Sequence, residues 1–404
     1  MKNSFSLPNG AELSNVTIVY AESPLNCSVG SLTGKTVGED IGSLLLGENT
    51  AYDFDRQTAL RLRDLLKKIC NAELPLICAS AREGVGGAIV IATDPLQYSP
   101  RAYEISERDG DLVICGGSYG ATWHAIDAIE EALCAGRGIA MGKGSYPIRC
   151  VACMGDSITR GSQALPDGNG FGSPDGLAAS FGGKATSHYF EQYLSYPANL
   201  ARALWKDYAV FNYGQGNSTM RRFESWAQFY YHDTAKFASA LEASSREGHA
   251  FDEVFIMLGT NDSGREGGAK EWGDEQKADF VNEAERLLKA VLQSSPNARF
   301  VLMNVPHRCN CHKPSESDSV VRATQRETVQ ILAEKGYPIT HYDMAAYTTA
   351  HMGNGSGTTL EEELAIHADY YNIRTDTGKP DTTHPNYRGY HSISLAVQSI
   401  LEGT

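Results

Sequence analysis

Four short stretches of the chain hold residue types that together can move an acyl group. In "VACMGDSITRG", residues 151–161, an apolar run stops at Gly155-Asp156-Ser157. The run "YAVFNYG" leads into Asn212-Tyr213-Gly214-Gln215-Gly216-Asn217, and "EVFIML" leads into Gly259-Thr260-Asn261-Asp262. Near the C-terminus "PDTTHPNYRG" supplies Asp381 and His384, just before "GYHSISLAVQSIL". Acyl transfer through a covalent intermediate needs a hydroxyl nucleophile, a base, an orienting acid and donors for the oxyanion. All of these types are present. Asp381 and His384 are three residues apart, so one turn of helix-like chain would bring them to one side. The carboxylate would then fix the imidazole tautomer while the other ring nitrogen faces the serine. Ser157 has a second reading as a helix N-cap. For Gly-Asp-Ser alone the cap suffices; the other blocks favour the nucleophile.

These residues need elements to carry them. From Arg149 onward "CVACM", "YAVFNYG", "EVFIML", "FVLMNVP" and "PITHYDM" read as short strands buried on both faces. Helical stretches separate them, among them "FVNEAERLLKAVLQ" with Ala284, Leu287, Leu288 and Val291 on one stripe. This alternation predicts a parallel sheet with helices on both faces, whose ligands bind at the carboxyl ends of the strands. The first 145 or so residues read as a separate, smaller α/β unit. There "DRQTALRLRDLLKKIC" puts Leu62, Leu65, Leu66 and Ile69 at helical spacing, and Asp109-Gly110 signals a hairpin between two strands. "YGATWHAIDAIEEAL" closes the unit as a helix, and the Gly-rich stretch 134–147 reads as a linker. The expected organisation is a small α/β domain over 1–145 and a second α/β domain, carrying the four stretches, over 146–404.

The four blocks, in this order and at these strand ends, resemble those of the SGNH (GDSL-type) hydrolases, over about residues 148–404. The resemblance implies a three-layer α/β/α domain with a parallel central sheet, Ser157 as nucleophile, His384 as general base and Asp381 as its orienting partner. It implies an oxyanion hole made of the Ser157 backbone N–H, a backbone N–H of the second block and the Asn261 side-chain amide. Where the family's N-x-G-x-x-G-x-T pattern has its second-block glycine, this chain has Asn217. Asparagine tolerates left-handed backbone better than other non-glycine residues. The donor is therefore Asn217 or, one residue earlier, Gly216. No metal or organic cofactor is implied.

Composition narrows the partners. A formal net charge of −14 argues against nucleic acid or an anionic membrane surface. With 42% hydrophobic and 21% charged residues the chain has an ordinary globular composition, and no apolar run approaches a membrane span. The N-terminal stretch shows no apolar signal region, which gives the expectation of a cytoplasmic protein, and nine scattered cysteines fit reduced thiols. Three stretches imitate sites. Gly116-Gly117-Ser118-Tyr119-Gly120 matches a G-x-S-x-G elbow, but only His124 is near in sequence, and a tight strand-to-helix turn explains it. "GRGIAMGKGS" lacks the first glycine of a phosphate loop. His307, Cys309, Cys311 and His312 in "PHRCNCHKP" match no standard zinc spacing.

Two features bear on the substrate. Residues 162–197, directly after the serine, are glycine-rich with Phe171, Phe181, Tyr189, Phe190 and Tyr193 among polar groups, rather than a greasy lid. Loop aromatics beside polar side chains suit a sugar face; Trp226, Tyr230 and Tyr231 add to it unless they are a core stripe. The N-terminal unit, over about 10–135, is loosely similar to the small domain preceding the barrel of β-hexosaminidases and α-glucuronidases, which tilts the expectation toward carbohydrate. The resulting expectation is a serine esterase that removes acetyl groups from a small or oligosaccharide substrate. The alternatives are a lipid esterase or lysophospholipase, and a carbohydrate-binding protein with a dormant site.

Overall fold

A computed structural model describes residues 13, 16–21, 54–94, 97–162, 195–222, 228–233, 237–238, 240–242, 250–265, 271–306, 316–352, 370–374 and 379–403. The chain divides into two compact units. One comprises Met1–Arg149 with Leu204–Ala209 and Glu247–His249; the other comprises Cys150–Ala203, Val210–Arg246 and Ala250–Thr404.

The first unit contains β1 (Ile18–Tyr20), α1 (Phe54–Cys70), β2 (Leu76–Cys78), β3 (Ile89–Thr93), β4 (Ala102–Arg108), β5 (Asp111–Gly116), α2 (Tyr119–Cys134) and β6 (Gly142–Ser145). Its sheet runs β2-β1-β3-β5-β4-β6. The β1–β2, β1–β3 and β3–β5 pairings are parallel; β4 pairs antiparallel with β5 and with β6. The helical stripe expected in α1 is realised: Leu62, Leu65 and Leu66 are buried and Ile69 packs beside them. They share one core with Ile126, Ile129 and Leu133 of α2 and with Ile89, Ile91 and Ile114 of the sheet. Asp109 (φ 53°) and Gly110 (φ 81°) turn the β4–β5 hairpin with both residues left-handed, the geometry that matches strand twist in a two-residue turn. One expectation fails locally. Gly142–Ser145, read as linker, is the edge strand β6, because its backbone completes the ladder along β4.

The second unit is built on β7 (Arg149–Gly155), β8 (Tyr208–Gly214), β11 (Glu253–Met257), β12 (Arg299–Met303) and β13 (Ile339–Tyr342), in the order β13-β12-β11-β7-β8. The β7–β11, β11–β12 and β12–β13 pairings are all parallel. Short pairs β9 (Ser218–Thr219) with β10 (Gln228–Phe229), and β14 (Tyr371–Arg374) with β15 (Lys379–Pro385), lie outside this sheet. Its helices are α3 (Ser157–Arg160), α4 (Tyr196–Ala203), α5 (Tyr230–Asp233), α6 (Thr260–Arg265), α7 (Asp274–Ser294), α8 (Glu316–Glu334), α9 (Met344–Met352) and α10 (Tyr387–Glu402). Residues 150–155 and 253–257 are buried throughout, which is why these strands read as unbroken apolar runs. Ala284, Leu287, Leu288 and Val291 of α7 are buried as one stripe. The next sheet strand after β7 lies on one side of it and the one after that on the other. The strand order therefore reverses at β7, where an open α/β sheet forms its ligand crevice.

A buried side chain from α8 spans the carboxyl ends of two strands. Gln325 donates to the Leu258 carbonyl (2.7 Å) after β11 and accepts from the Val305 N–H (3.2 Å) after β12. Neither backbone group has water as a substitute partner once buried. Replacing Gln325 with Met leaves both unsatisfied and is expected to lower stability by about 3 kcal/mol, read as a shift of the urea transition at constant pH; an unchanged midpoint would show that the clamp is idle.

Candidate active site

At the end of β7 the chain turns sharply into α3. Asp156, fully buried, is the N-cap: its Oδ1 accepts from the Ile158 N–H at 2.9 Å. The cap reading considered for Ser157 thus belongs to its neighbour. Ser157 occupies the first helical position, half-buried, with its side chain free of any capping duty. Gly161 ends the turn in the left-handed region (φ 93°), and the Ser162 carbonyl accepts from the Tyr390 hydroxyl (2.7 Å), which ties this turn to α10.

His384 meets the serine from the far end of the chain. Its Nε2 lies 2.8 Å from Ser157 Oγ, across 227 residues of sequence. His384 stands in β15, a strand rather than the helix-like turn expected from the spacing. The ladder explains how residues three apart are accommodated there. Two steps along β14, from Tyr371 to Ile373, face five along β15, from Pro385 to Pro380, so this stretch bulges out of regular alternation. The backbone of Asp381 lies in this bulge; its side chain is outside the described residues. Beyond the strand, Asn386 caps α10 by accepting from the Arg388 and Gly389 N–H groups at 2.9 and 3.1 Å.

The second block closes against the turn that carries Ser157. The Gln215 N–H donates to the Gly155 carbonyl (2.9 Å), and a Cβ at Gly214 would lie 2.2 Å from the Arg160 backbone nitrogen. Only glycine fits there. Asn217 adopts φ 64°, the left-handed conformation, and is exposed; Gly216 is half-buried. From the third block Asn261 Nδ2 donates to the Ser218 carbonyl at 2.9 Å. One of its two amide hydrogens is so committed. Ser157, His384, Asn261 and the 216–217 turn are thus linked through neighbouring contacts at the carboxyl ends of β7, β8 and β11.

Asp262 follows Asn261 directly in the third block. It is fully buried and accepts two backbone N–H groups, from Met220 (3.0 Å) and Arg221 (2.9 Å). Desolvation by burial pushes its carboxyl up to about 6, against the lowering influence of those amides and of Arg221; Asp156 adds a smaller raising effect. The signal in sequence was an acid placed directly after a buried strand beside an amide.

The imitations resolve differently. Ser118 caps α2, accepting from the Ala121 N–H (3.0 Å) and donating to the Pro100 carbonyl (2.7 Å), so its hydroxyl is spent on structure. Tyr230 is buried and donates to the Tyr213 carbonyl (2.8 Å), a core role. Residues 163–194, Trp226, and His307, Cys309, Cys311 and His312 lie outside the described residues. Among the described residues no group of three or more His, Cys, Asp or Glu is placed to hold a metal ion, and no helix is long and apolar enough to cross a membrane.

A family model described as GDSL-like lipase/acylhydrolase matches residues 153–391, more than half of the chain. Similar solved structures include an aryl esterase from M. smegmatis, 14% identical, with 63% of this chain and 99% of that one covered at a TM-score of 0.38. Est24, a carbohydrate acetylesterase from Sinorhizobium meliloti, is 14% identical over 63% and 99%, with a TM-score of 0.37. A carbohydrate esterase described as having divergent catalytic and non-catalytic binding functions is 16% identical over 66% and 73%, with a TM-score of 0.39. No curated protein matches the chain.

Two outcomes are expected. Gly214→Ala forces α3 away from β8; since a displacement of 1 Å near a reacting centre costs on the order of 10²-fold, labelling of Ser157 by a fluorophosphonate should slow by about that factor in protein that remains folded. The second concerns pH. The Asp262 carboxyl is raised from 3.8 to about 6, so between these values the folded chain keeps a proton that the unfolded chain has released. Its contribution to stability is full below about 4, declines as pH rises, and is least above about 6. Asp262→Asn has no such proton to lose. Urea unfolding should therefore show wild type losing stability relative to Asp262→Asn between about pH 4 and 7; a pH-independent difference would contradict the raised carboxyl.

Proposed function

The chain belongs to the GDSL-like lipase/acylhydrolase family, and from that premise we propose that it is a serine esterase removing acetyl or similarly short acyl groups from carbohydrate hydroxyls. The observation that carries the proposal is the 2.8 Å contact between His384 Nε2 and Ser157 Oγ, a nucleophile within reach of its base. Ser157 Oγ attacks the ester carbonyl as its proton passes to His384. Asp381 orients the imidazole and stabilises its charged form. The oxyanion is held by the Ser157 N–H, the Asn261 amide and an N–H of Gly216 or Asn217. His384 then protonates the departing sugar oxygen, and water attacks the acyl-enzyme with His384 again as base.

The carbohydrate half of the proposal rests on the composition of residues 162–197, directly after the serine, where glycines, aromatics and polar side chains alternate without a long apolar run; a long acyl chain asks for an apolar groove.

The test is acetate release from acetylated xylo-oligosaccharides, with p-nitrophenyl octanoate in parallel and Ser157→Ala as control. The expected outcome is acetate release that disappears in Ser157→Ala, with little octanoate cleavage. Faster turnover of octanoate would replace the carbohydrate reading with a lipid esterase. Folded wild type that neither releases acetate nor reacts with a fluorophosphonate would be a binding protein.

A further inference from the structure

Asn261 and Asp262 are adjacent in one turn and hold the same short stretch of chain. Asn261 Nδ2 takes the Ser218 carbonyl at 2.9 Å, while the two Asp262 oxygens take the N–H groups of Met220 (3.0 Å) and Arg221 (2.9 Å). Three residues of the stretch 218–221 are thus gripped, directly after Gly216 and Asn217. The turn that grips them is itself anchored: the buried Ser263 Oγ donates to Asp318 Oδ1 at 2.8 Å, from α8. Asn217, next to the gripped stretch, has φ 64°, the left-handed conformation that asparagine adopts more readily than other non-glycine residues.

A fully buried carboxylate is a costly way to satisfy two amides. The charged groups facing it, Arg221 and Asp156, oppose each other in effect, and desolvation still dominates. Its chemical advantage over a neutral acceptor is that both oxygens accept and neither donates. Two successive N–H groups are then each held by their own oxygen.

We propose that Asp262 is a positioning residue for the oxyanion hole, locking the 218–221 segment so that the 216–217 backbone donor and the Asn261 amide converge on one point. This rests on the reading of Ser157 as nucleophile and of these groups as oxyanion donors. Asp262 touches no substrate; it acts through the backbone it holds. An acid at this place has a purely architectural alternative, in which it satisfies two buried amides without bearing on the reaction.

Asp262→Asn separates the two. Asparagine keeps the volume but offers one acceptor and one donor where two N–H groups point, so one amide must turn away. The full-length chain, with p-nitrophenyl acetate as substrate, is titrated with a fluorophosphonate so that kcat is expressed per reactive Ser157. Positioning predicts kcat per titrated site lower by about 10²-fold, the scale of one lost oxyanion donor, with KM changed by no more than about two-fold. It also predicts non-additivity: in an Asn261→Ala background, where one donor is already gone, the further loss falls below about 10-fold. An Asp262→Asn enzyme with undiminished kcat per titrated site, or an equal loss in both backgrounds, would overturn the proposal while leaving Ser157 chemistry intact. Wild type that neither turns over nor titrates would remove the esterase reading, and this proposal with it.

Discussion

The chemistry proposed for the second unit depends on bringing His384 to Ser157 across 227 residues. Closing a loop of that length costs on the order of 5 kcal/mol in chain entropy. A single hydrogen bond returns about 1 kcal/mol net. The contact therefore cannot hold itself together; the fold must hold it. The serine side is fixed by the Asp156 cap and by the Tyr390 hydroxyl on the Ser162 carbonyl. The histidine side is fixed by the β14–β15 ladder, by the Asn386 N–H on the Tyr370 carbonyl and by the Asn386 cap. Both sides are anchored to α10 or its first turn, so one helix carries the registration between Ser157 and His384.

The same economy of partners appears at the other strand ends. Gln325 joins the chain after β11 to the chain after β12, and Asn304 joins the end of β12 to the start of α9 by donating to Asp343 and accepting from the Ala345 N–H. Asp262 binds the block after β8 to the block after β11. Each is a polar side chain buried where strands stop pairing and backbone groups would otherwise go unsatisfied. A crevice floor cannot be sealed with apolar side chains alone, because every strand end exposes N–H and C=O groups there. Fully satisfied polar bridges close it and also remove the freedom of the loops that carry reacting groups.

The architecture was legible because burial on both faces leaves a plain trace. The inner strands β7, β11 and β12 are buried along nearly their whole length and appear as apolar runs. By contrast β8 and β13, at the two ends of the strand order, are only partly buried although they were expected to be buried on both faces. The stripe on α7 appears as Ala284, Leu287, Leu288 and Val291. Asp109-Gly110 announced its hairpin because few residue pairs tolerate two successive positive φ angles. What was not legible depends on partners distant in sequence. Gly142–Ser145 has no strand pattern of its own and becomes a strand only because β4 offers an unpaired edge. The spacing of Asp381 and His384 suggested a helical turn, whereas pairing with β14 sets a bulged strand, a tertiary decision invisible to local spacing. Asp262 stood in plain view within the third block, yet its partners, Met220 and Arg221, lie about forty residues earlier and donate only backbone N–H.

Ser118 and Ser157 show why a motif does not decide chemistry. Both follow a strand, both begin a helix and both sit among glycines. Ser118 is the cap itself, so its oxygen accepts an amide hydrogen while its proton goes to a carbonyl, and no nucleophilic capacity is left. At Ser157 the capping duty has passed one residue back to Asp156, a stronger acceptor for an N–H because it is a carboxylate. The serine hydroxyl is then free to face an imidazole. That one-residue offset explains the aspartate beside the serine: Asp156 satisfies the helix, and Ser157 is released from it.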